Sequence, residues 1–274
     1  MAEQRKASNH DNWISAYHHL INFSGRTLRF ADLDERFCND FKEYILKAPS
    51  NGNIDKTLSQ NSAHGYFNKL KATLKQAYKD GLLQTDLNSK INRIKEAETE
   101  KQFLNIEELN SLVKTECTMP ILKQAALFSA LTGLRFSDIE KLTWGQVQYS
   151  EAGGYYLQFR QKKTGGVEVT PISEQAFKLL GLRKEPTDRI FERLKYSSQT
   201  NIYLKFWLLK AGIKKHITFH CFRHTYATLQ LSLGTDIYTV SKMLGHREIR
   251  TTQVYAKVID KTKQEAANKI QLDF

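Results

Sequence analysis

Apolar residues recur at helical spacing along nearly the whole chain, and strict alternation is confined to one short interval between Tyr155 and Val169. A period of 3.6 suits amphipathic helices, whereas a period of two suits half-buried strands. The pattern therefore specifies a mainly α protein with a small antiparallel β-sheet. In the first third, Trp13, Ile14, Tyr17, Leu20 and Ile21 trace one helix, and Phe37, Phe41, Tyr44 and Ile45 trace a second. Tyr66, Leu70, Leu74 and Tyr78 fall at steps of four in a third helix over about residues 62–83, which Gly81 can terminate by adopting the left-handed conformation. This first part reads as all-helical.

The apolar stripe lapses in the charged run Arg93-Ile94-Lys95-Glu96-Ala97-Glu98-Thr99-Glu100-Lys101. Mixed charge without an apolar face suits a linker. The chain thus divides into a helical domain over residues 1–96, a linker over 97–102 and a second domain over 103–274. The second domain opens with a clear start signal: Asn105 and Glu108 are spaced as a capping box, and Leu104 can staple onto Leu109. The apolar stretch from Ile121 to Leu131 ends at Gly133. Ser137 and Glu140 are spaced as another capping box, which leaves Arg135 in a tight turn between two helices. Tyr155, Leu157 and Phe159, then Val167 and Val169, alternate with polar residues, with Gly153-Gly154 and Gly165-Gly166 as turns. Helical spacing returns from about Thr187 and continues to the C-terminus.

The net charge of +12 is unevenly distributed, with a balance of +2 over residues 1–100 and +10 over residues 101–274. A surplus concentrated in one domain points to a polyanionic partner. Lys205, Lys210, Lys214, Lys215, Arg247 and Arg250 are candidates for contact with a phosphate backbone. No apolar run approaches the roughly 20 residues of a membrane span, and Ala-Glu-Gln-Arg-Lys after Met1 does not lead into a signal peptide. Cys38, Cys117 and Cys221 show no paired spacing, which suits a reducing cytoplasm and indicates neither a disulfide framework nor a thiolate zinc site.

Candidate chemistry collects around Thr218-Phe219-His220-Cys221-Phe222-Arg223-His224-Thr225-Tyr226-Ala227-Thr228. His220 and Arg223 lie three apart on a helix starting near Thr218, so both can address one point. His216, His220 and His224 are spaced by four, but His216 precedes the helix start, and a row of metal ligands is not expected. His224 reads as a structural neighbour, His18 and His19 as surface residues, and Tyr155, Tyr156 and Tyr226 as packing residues. Downstream lie Leu244-Gly245-His246 and Thr251-Thr252-Gln253-Val254-Tyr255-Ala256. Upstream lie Thr132-Gly133-Leu134-Arg135-Phe136-Ser137-Asp138 and the hairpin Arg160-Gln161-Lys162-Lys163-Thr164-Gly165-Gly166.

In this order the motifs resemble those of the tyrosine recombinase family, also called the phage integrase family, over about residues 104–260. The resemblance implies the DNA breaking-rejoining enzyme fold, preceded by a SAM-like core-binding domain. It implies catalytic roles for Arg135, Lys163, His220, Arg223, His246 and Tyr255, the last as nucleophile. Lys163 matches better than Lys162 because the family pattern reads Lys-Thr-Gly. Asp138 stands where Glu is commoner and would support the site, one methylene shorter. Lys257 stands where many members have His. The implied partners are double-stranded DNA at a recombination site, accessory DNA-bending proteins, and three further copies of the chain in a homotetrameric synapse, with a monomer when free. Ala266, Ile270 and Leu272 would pack onto a neighbouring copy. The implied location is the cytoplasm, at the nucleoid. Too few residues precede Asn12 for an additional arm-binding domain, so the chain is expected to be either a short recombinase or a piece of a longer integrase.

The residue types suit that chemistry. Attack on a phosphodiester builds charge on two non-bridging oxygens, which two guanidiniums can hold through paired hydrogen bonds. No carboxylate cluster has metal-ligand spacing, so no metal, ATP or other cofactor is expected. A phenol with a pKa near 10 is about a thousandth ionised at pH 7, and forming phenolate there costs about 4 kcal/mol unless cations or a base assist. Lys163 would protonate the departing 5′ oxygen, His220 would assist proton transfer, and His246 would donate to the phosphate. A phosphotyrosine link conserves the bond for later resealing. Relaxation of DNA in the manner of a type IB topoisomerase, or DNA binding without catalysis on the same scaffold, are the alternatives.

Overall fold

The computed structural model describes residues 7–50, 53–160 and 167–256. The chain divides into two compact units, Met1–Thr99 and Glu100–Phe274. Among the described residues, no helix is long and apolar enough to cross a membrane.

In the first unit, α1 (Ala7–Ser24), α2 (Glu35–Lys47), α3 (Gln60–Lys79) and the short α4 (Leu87–Lys90) surround one core. Asp34 caps α2 by accepting from the Phe37 amide at 2.7 Å, and Ser59 caps α3 by accepting from the Ser62 amide at 3.1 Å. Phe41, Ile45, Phe67 and Leu74 are fully buried between these helices, with the Phe23 ring edge-on to Phe37 and Phe41. The buried face of α3 runs through Ala63, Phe67, Leu70, Leu74 and Ala77, while Tyr78 is exposed. A row of four-residue steps drifts about 40° per step around a helix of 3.6 residues per turn, so the expected stripe ending at Tyr78 walks off the core. Lys71 is also buried, and its ammonium donates to the carbonyls of Asn88 (2.6 Å) and Ile91, tying α3 to the segment around α4. Gly81 adopts φ +75° just beyond α3.

Two departures from expectation occur in this unit. A small antiparallel hairpin, β1 (Pro49–Ser50) with β2 (Asn53–Thr57), interrupts the helices. The turn-forming pair Asn51-Gly52 sits between its strands in sequence, a hairpin signal too short to register as apolar alternation. His19, expected at the surface, is 1% exposed and lies beside the Tyr66 ring, with ring centroids 5.4 Å apart.

The second unit contains α5 (Ile106–Lys114), α6 (Pro120–Thr132), α7 (Phe136–Ile139), the strands β3 (Val147–Ser150), β4 (Gly154–Arg160) and β5 (Val167–Pro171), then α8 (Glu174–Lys178), α9 (Ser198–Lys210), α10 (Phe219–Ser232), α11 (Ile237–Met243) and α12 (Arg250–Ala256). The strands form one antiparallel sheet in the order β3-β4-β5, with Leu157 opposite Val147 on one side and Thr170 on the other. The capping box of α5 forms as its spacing suggests: Asn105 Oδ1 accepts from the Glu108 amide at 2.7 Å and Glu108 Oε2 accepts from the Asn105 amide at 2.9 Å. Trp144, Trp207, Phe128, Phe191 and Phe222 fill the main core. Residues 187–197, expected to be helical, run instead as turns, and the segment before α9 is held against the start of the sheet region. Trp144 donates its amide to Asp188 O (3.1 Å) and Gly145 to Pro186 O (2.8 Å). Within the segment Arg193 takes φ +62°, a conformation that no right-handed helix contains.

Helix α10 organises this unit. It packs on α6, α11 and α12, and every residue from Cys221 to Thr228 is buried. A helix buried on all sides must satisfy its polar side chains internally. Thr225 Oγ1 does so by accepting from the buried Leu104 amide (2.9 Å) and donating to Cys221 O (2.9 Å).

Candidate active site

The site begins where α6 stops. Gly133 takes φ +71°, and a Cβ there would lie 2.6 Å from Tyr226 Cδ1 and 2.8 Å from Leu244 Cδ2. Both the conformation and the close approach require glycine. The chain re-enters helix at α7 with Arg135 as its N-cap residue. Ser137 therefore lies inside α7, and the expected Ser137–Glu140 capping box does not form. The left-handed turn at Gly133 starts the next helix early, placing Asp138 in its first turn with the carboxylate buried. Asp138 Oδ2 stands 4.0 Å from Arg135 Nη1.

Arg223, four residues into the segment that Thr218 caps, is 3% exposed. Its Nη1 donates to Gly133 O at 2.6 Å, and its Nη2 donates to Leu244 O at 2.6 Å and to His246 Nε2 at 3.0 Å. Because a guanidinium only donates, His246 Nε2 is the acceptor and Nδ1 carries the hydrogen. That hydrogen is donated to Thr252 Oγ1, 2.8 Å away on α12. Both ring nitrogens of His246 are thus engaged within the protein. One guanidinium ties together the end of α6, the end of α11 and, through His246, the helix that carries Tyr255.

Tyr255 is 4% exposed, and its hydroxyl lies 2.7 Å from His224 Nδ1. Burial pushes the phenol above its ordinary pKa, against the opposing pull of the Arg223 and Arg135 charges. His224 is driven down to about 3, first by burial and then by the positive fields of His220, Lys101, Arg223 and His246. The imidazole facing Tyr255 is therefore neutral near pH 7. His220 occupies the exposed first turn of α10, with its ring perpendicular to that of His224 and 4.6 Å away between centroids.

The structure thus draws Arg135, Asp138, Arg223, His246 and Tyr255 around the junction of α6, α7, α10, α11 and α12, with His220 at the rim. Lys162 and Lys163 lie outside the described residues, as do Ala266, Ile270 and Leu272. His224 is the member that sequence reasoning passed over. Its signal was present: four residues after His220, it shares that residue's helical face. Tyr226 donates to Met243 Sδ at 3.3 Å, and Tyr155 stacks on Phe177 at 3.6 Å, so both pack as expected. Of the candidate surface cations, Lys210 pairs with Glu116 (3.3 Å) and Lys215 with Glu108 (2.7 Å). Among the described residues, no three His, Cys, Asp or Glu side chains are grouped to hold a metal ion.

The phage integrase family model matches residues 102–262, and the phage integrase SAM-like domain model matches residues 1–91. The chain belongs to the phage integrase family. Family members similar to it include tyrosine recombinase XerD of Listeria innocua serovar 6a, 28% identical over 270 residues that cover 90% of this chain and 88% of the relative. A tyrosine recombinase of Thermosipho africanus is 26% identical over 244 residues, covering 83% of each. Among solved structures, a lambda integrase dimer bound to a core site superposes with a TM-score of 0.71 at 18% identity, covering 93% of this chain and 90% of that one. This integrase-family chain is a site-specific tyrosine recombinase with a mainly helical fold.

Proposed function

We propose that the protein cuts and rejoins double-stranded DNA at a specific site through a covalent 3′-phosphotyrosine on Tyr255, in integration or excision. The observation that carries this reading is the network in which Arg223 links Gly133, Leu244 and His246 beside a phenol that Arg223 and Arg135 both act on electrostatically. A phosphate entering there would meet two guanidiniums suited to its non-bridging oxygens, and its negative charge would replace the solvent that burial has removed. The phenol oxygen would attack phosphorus as its proton passes to His220, the bond to the 5′ oxygen would break, and Lys163 would protonate that oxygen. His220 would assist proton movement. For His246 to donate to the phosphate it would have to exchange one of its two present partners. Asp138 would hold Arg135 in place.

The DNA partner and the multimer are supported by solved relatives. XerH recombinase is known bound to a palindromic difH substrate in a post-cleavage complex, and lambda integrase as a tetramer bound to a Holliday junction. A homotetrameric synapse on DNA, with accessory bending proteins and a cytoplasmic location at the nucleoid, is the corresponding reading for this chain.

The test is covalent capture. Incubated with a nicked recombination site, the protein should leave an SDS-resistant adduct, and Tyr255→Phe should leave none. An adduct that survives Tyr255→Phe overturns the assignment. Relaxation of supercoiled DNA by a monomer without site preference would favour the topoisomerase reading.

A further inference from the structure

We propose that His224 is a further positioning residue for the recombination reaction, holding the Tyr255 hydroxyl through Nδ1 so that the phenol is registered to Arg223. The proposal rests on the phosphotyrosine reading of Tyr255. Three observations carry it. The 2.7 Å contact is made between two buried side chains, so it is shielded from competition by water. His224 follows Arg223 directly on α10, the helix packed on all sides by the core, so its ring moves with the guanidinium. Tyr255, by contrast, sits on the seven-residue α12, joined to the site through Thr252 and His246. A short helix so anchored leaves the phenol direction to be set by its own hydroxyl partner.

In the free protein the phenol donates to the neutral imidazole at Nδ1, with the His224 hydrogen on Nε2. The contact aims the phenol up to the moment of attack; as the phenol oxygen bonds phosphorus its proton passes to His220, and the bond to the 5′ oxygen breaks as Lys163 protonates that oxygen. Two chemistries follow from this role. An asparagine at 224 places an amide group where Nδ1 stood, whereas glutamine reaches toward the Nε2 position. A phenylalanine preserves the ring and offers no acceptor.

The experiment measures single-turnover adduct formation on a nicked site by the full chain, alongside DNA affinity and urea midpoint. His224→Phe should bind DNA with unchanged affinity and form adduct about a hundredfold more slowly, the loss expected for a reacting atom misplaced by about 1 Å. His224→Asn should recover most of that loss, and His224→Gln should recover less. The Asn-to-Gln order holds as a test even if His224→Phe fails to fold. A 5′-phosphorothiolate substrate, whose leaving thiolate needs no proton, should not restore His224→Phe. Adduct formation by His224→Phe at the unsubstituted rate or faster overturns the proposal, as does full rescue by the sulfur substrate, which would place His224 on the leaving-group side. Absence of adduct from the unsubstituted protein would instead overturn the phosphotyrosine reading itself.

Discussion

The Gly133 carbonyl accepts a 2.6 Å hydrogen bond from Arg223 Nη1, joining the C-terminal end of α6 to the centre of α10 across 90 residues of sequence. The left-handed turn at Gly133 aims that carbonyl, and Tyr226 and Leu244 pack where any side chain on residue 133 would stand. The helix terminator and the charge clamp are the same piece of backbone.

Gly133→Ala should therefore damage both stability and chemistry. A positive φ and overpacking against Tyr226 together should cost about 2–4 kcal/mol. A denaturant midpoint reads the first effect. Adduct yield at a temperature where the variant is still folded reads the second, and it should fall because the Arg223 partner has moved.

Arg223→Lys keeps the charge and loses the geometry. A single ammonium cannot span Gly133 O, Leu244 O and His246 Nε2 with the separations the planar fork provides. Leaving such buried acceptors unmet should cost about 1–3 kcal/mol each. Urea melts should show the loss, and the ring proton resonances of His246, which has lost its donor, should move in a proton NMR spectrum.

Thr225→Val removes one oxygen at nearly constant volume. The buried Leu104 amide then has lost its 2.9 Å acceptor, which should destabilise the second unit by about 1–3 kcal/mol. Hydrogen exchange at the Leu104 amide should accelerate while the secondary structure, followed by circular dichroism, stays unchanged.

Acid should weaken the second unit well before its carboxylates protonate. His224 ionises near 3 in the folded chain and at its ordinary 6.5 when unfolded. Between these values the unfolded state binds the extra proton, so stability falls as the pH drops below 6.5, by up to about 1.4 kcal/mol per pH unit. Burial, with the adjacent His18 charge, lowers His19 as well, so the first unit loses stability in the same direction. The lowered carboxyls of Asp32, Glu192 and Asp236 contribute only nearer pH 4 and below. Urea melts at pH 7 and pH 5, followed through the buried Trp144 and Trp207, should show the slope. In His224→Asn that slope should be flatter.

Much of the helical layout was legible because apolar spacing and end signals are local. Asn105 with Glu108, Gly81 beyond α3 and Gly133 beyond α6 act within a few residues of themselves, and the structure places them accordingly. Other readings misled for physical reasons. Ser137 and Glu140 had the spacing of a cap, but a turn set by Gly133 began α7 before them. Residues 187–197 carried helical spacing, yet the bond from the Trp144 amide to Asp188 O and the left-handed Arg193 made turns. His18 and His19 were indistinguishable as neighbours in sequence, while the rotation of α1 against Tyr66 buried only the second.

Read alone, the amino-acid order determined the two-part, mainly helical plan, the basic surplus of the second part and the ordered set of Arg, His and Tyr candidates, because composition, periodicity and motif order are properties of a string. Only the folded chain decided that His246 has both nitrogens engaged, that Tyr255 is buried, and that the imidazole beside Arg223 holds the phenol. Those facts depend on the packing of α6, α11 and α12 around α10, where distance through space and exclusion of water set each hydrogen-bond partner and each protonation state.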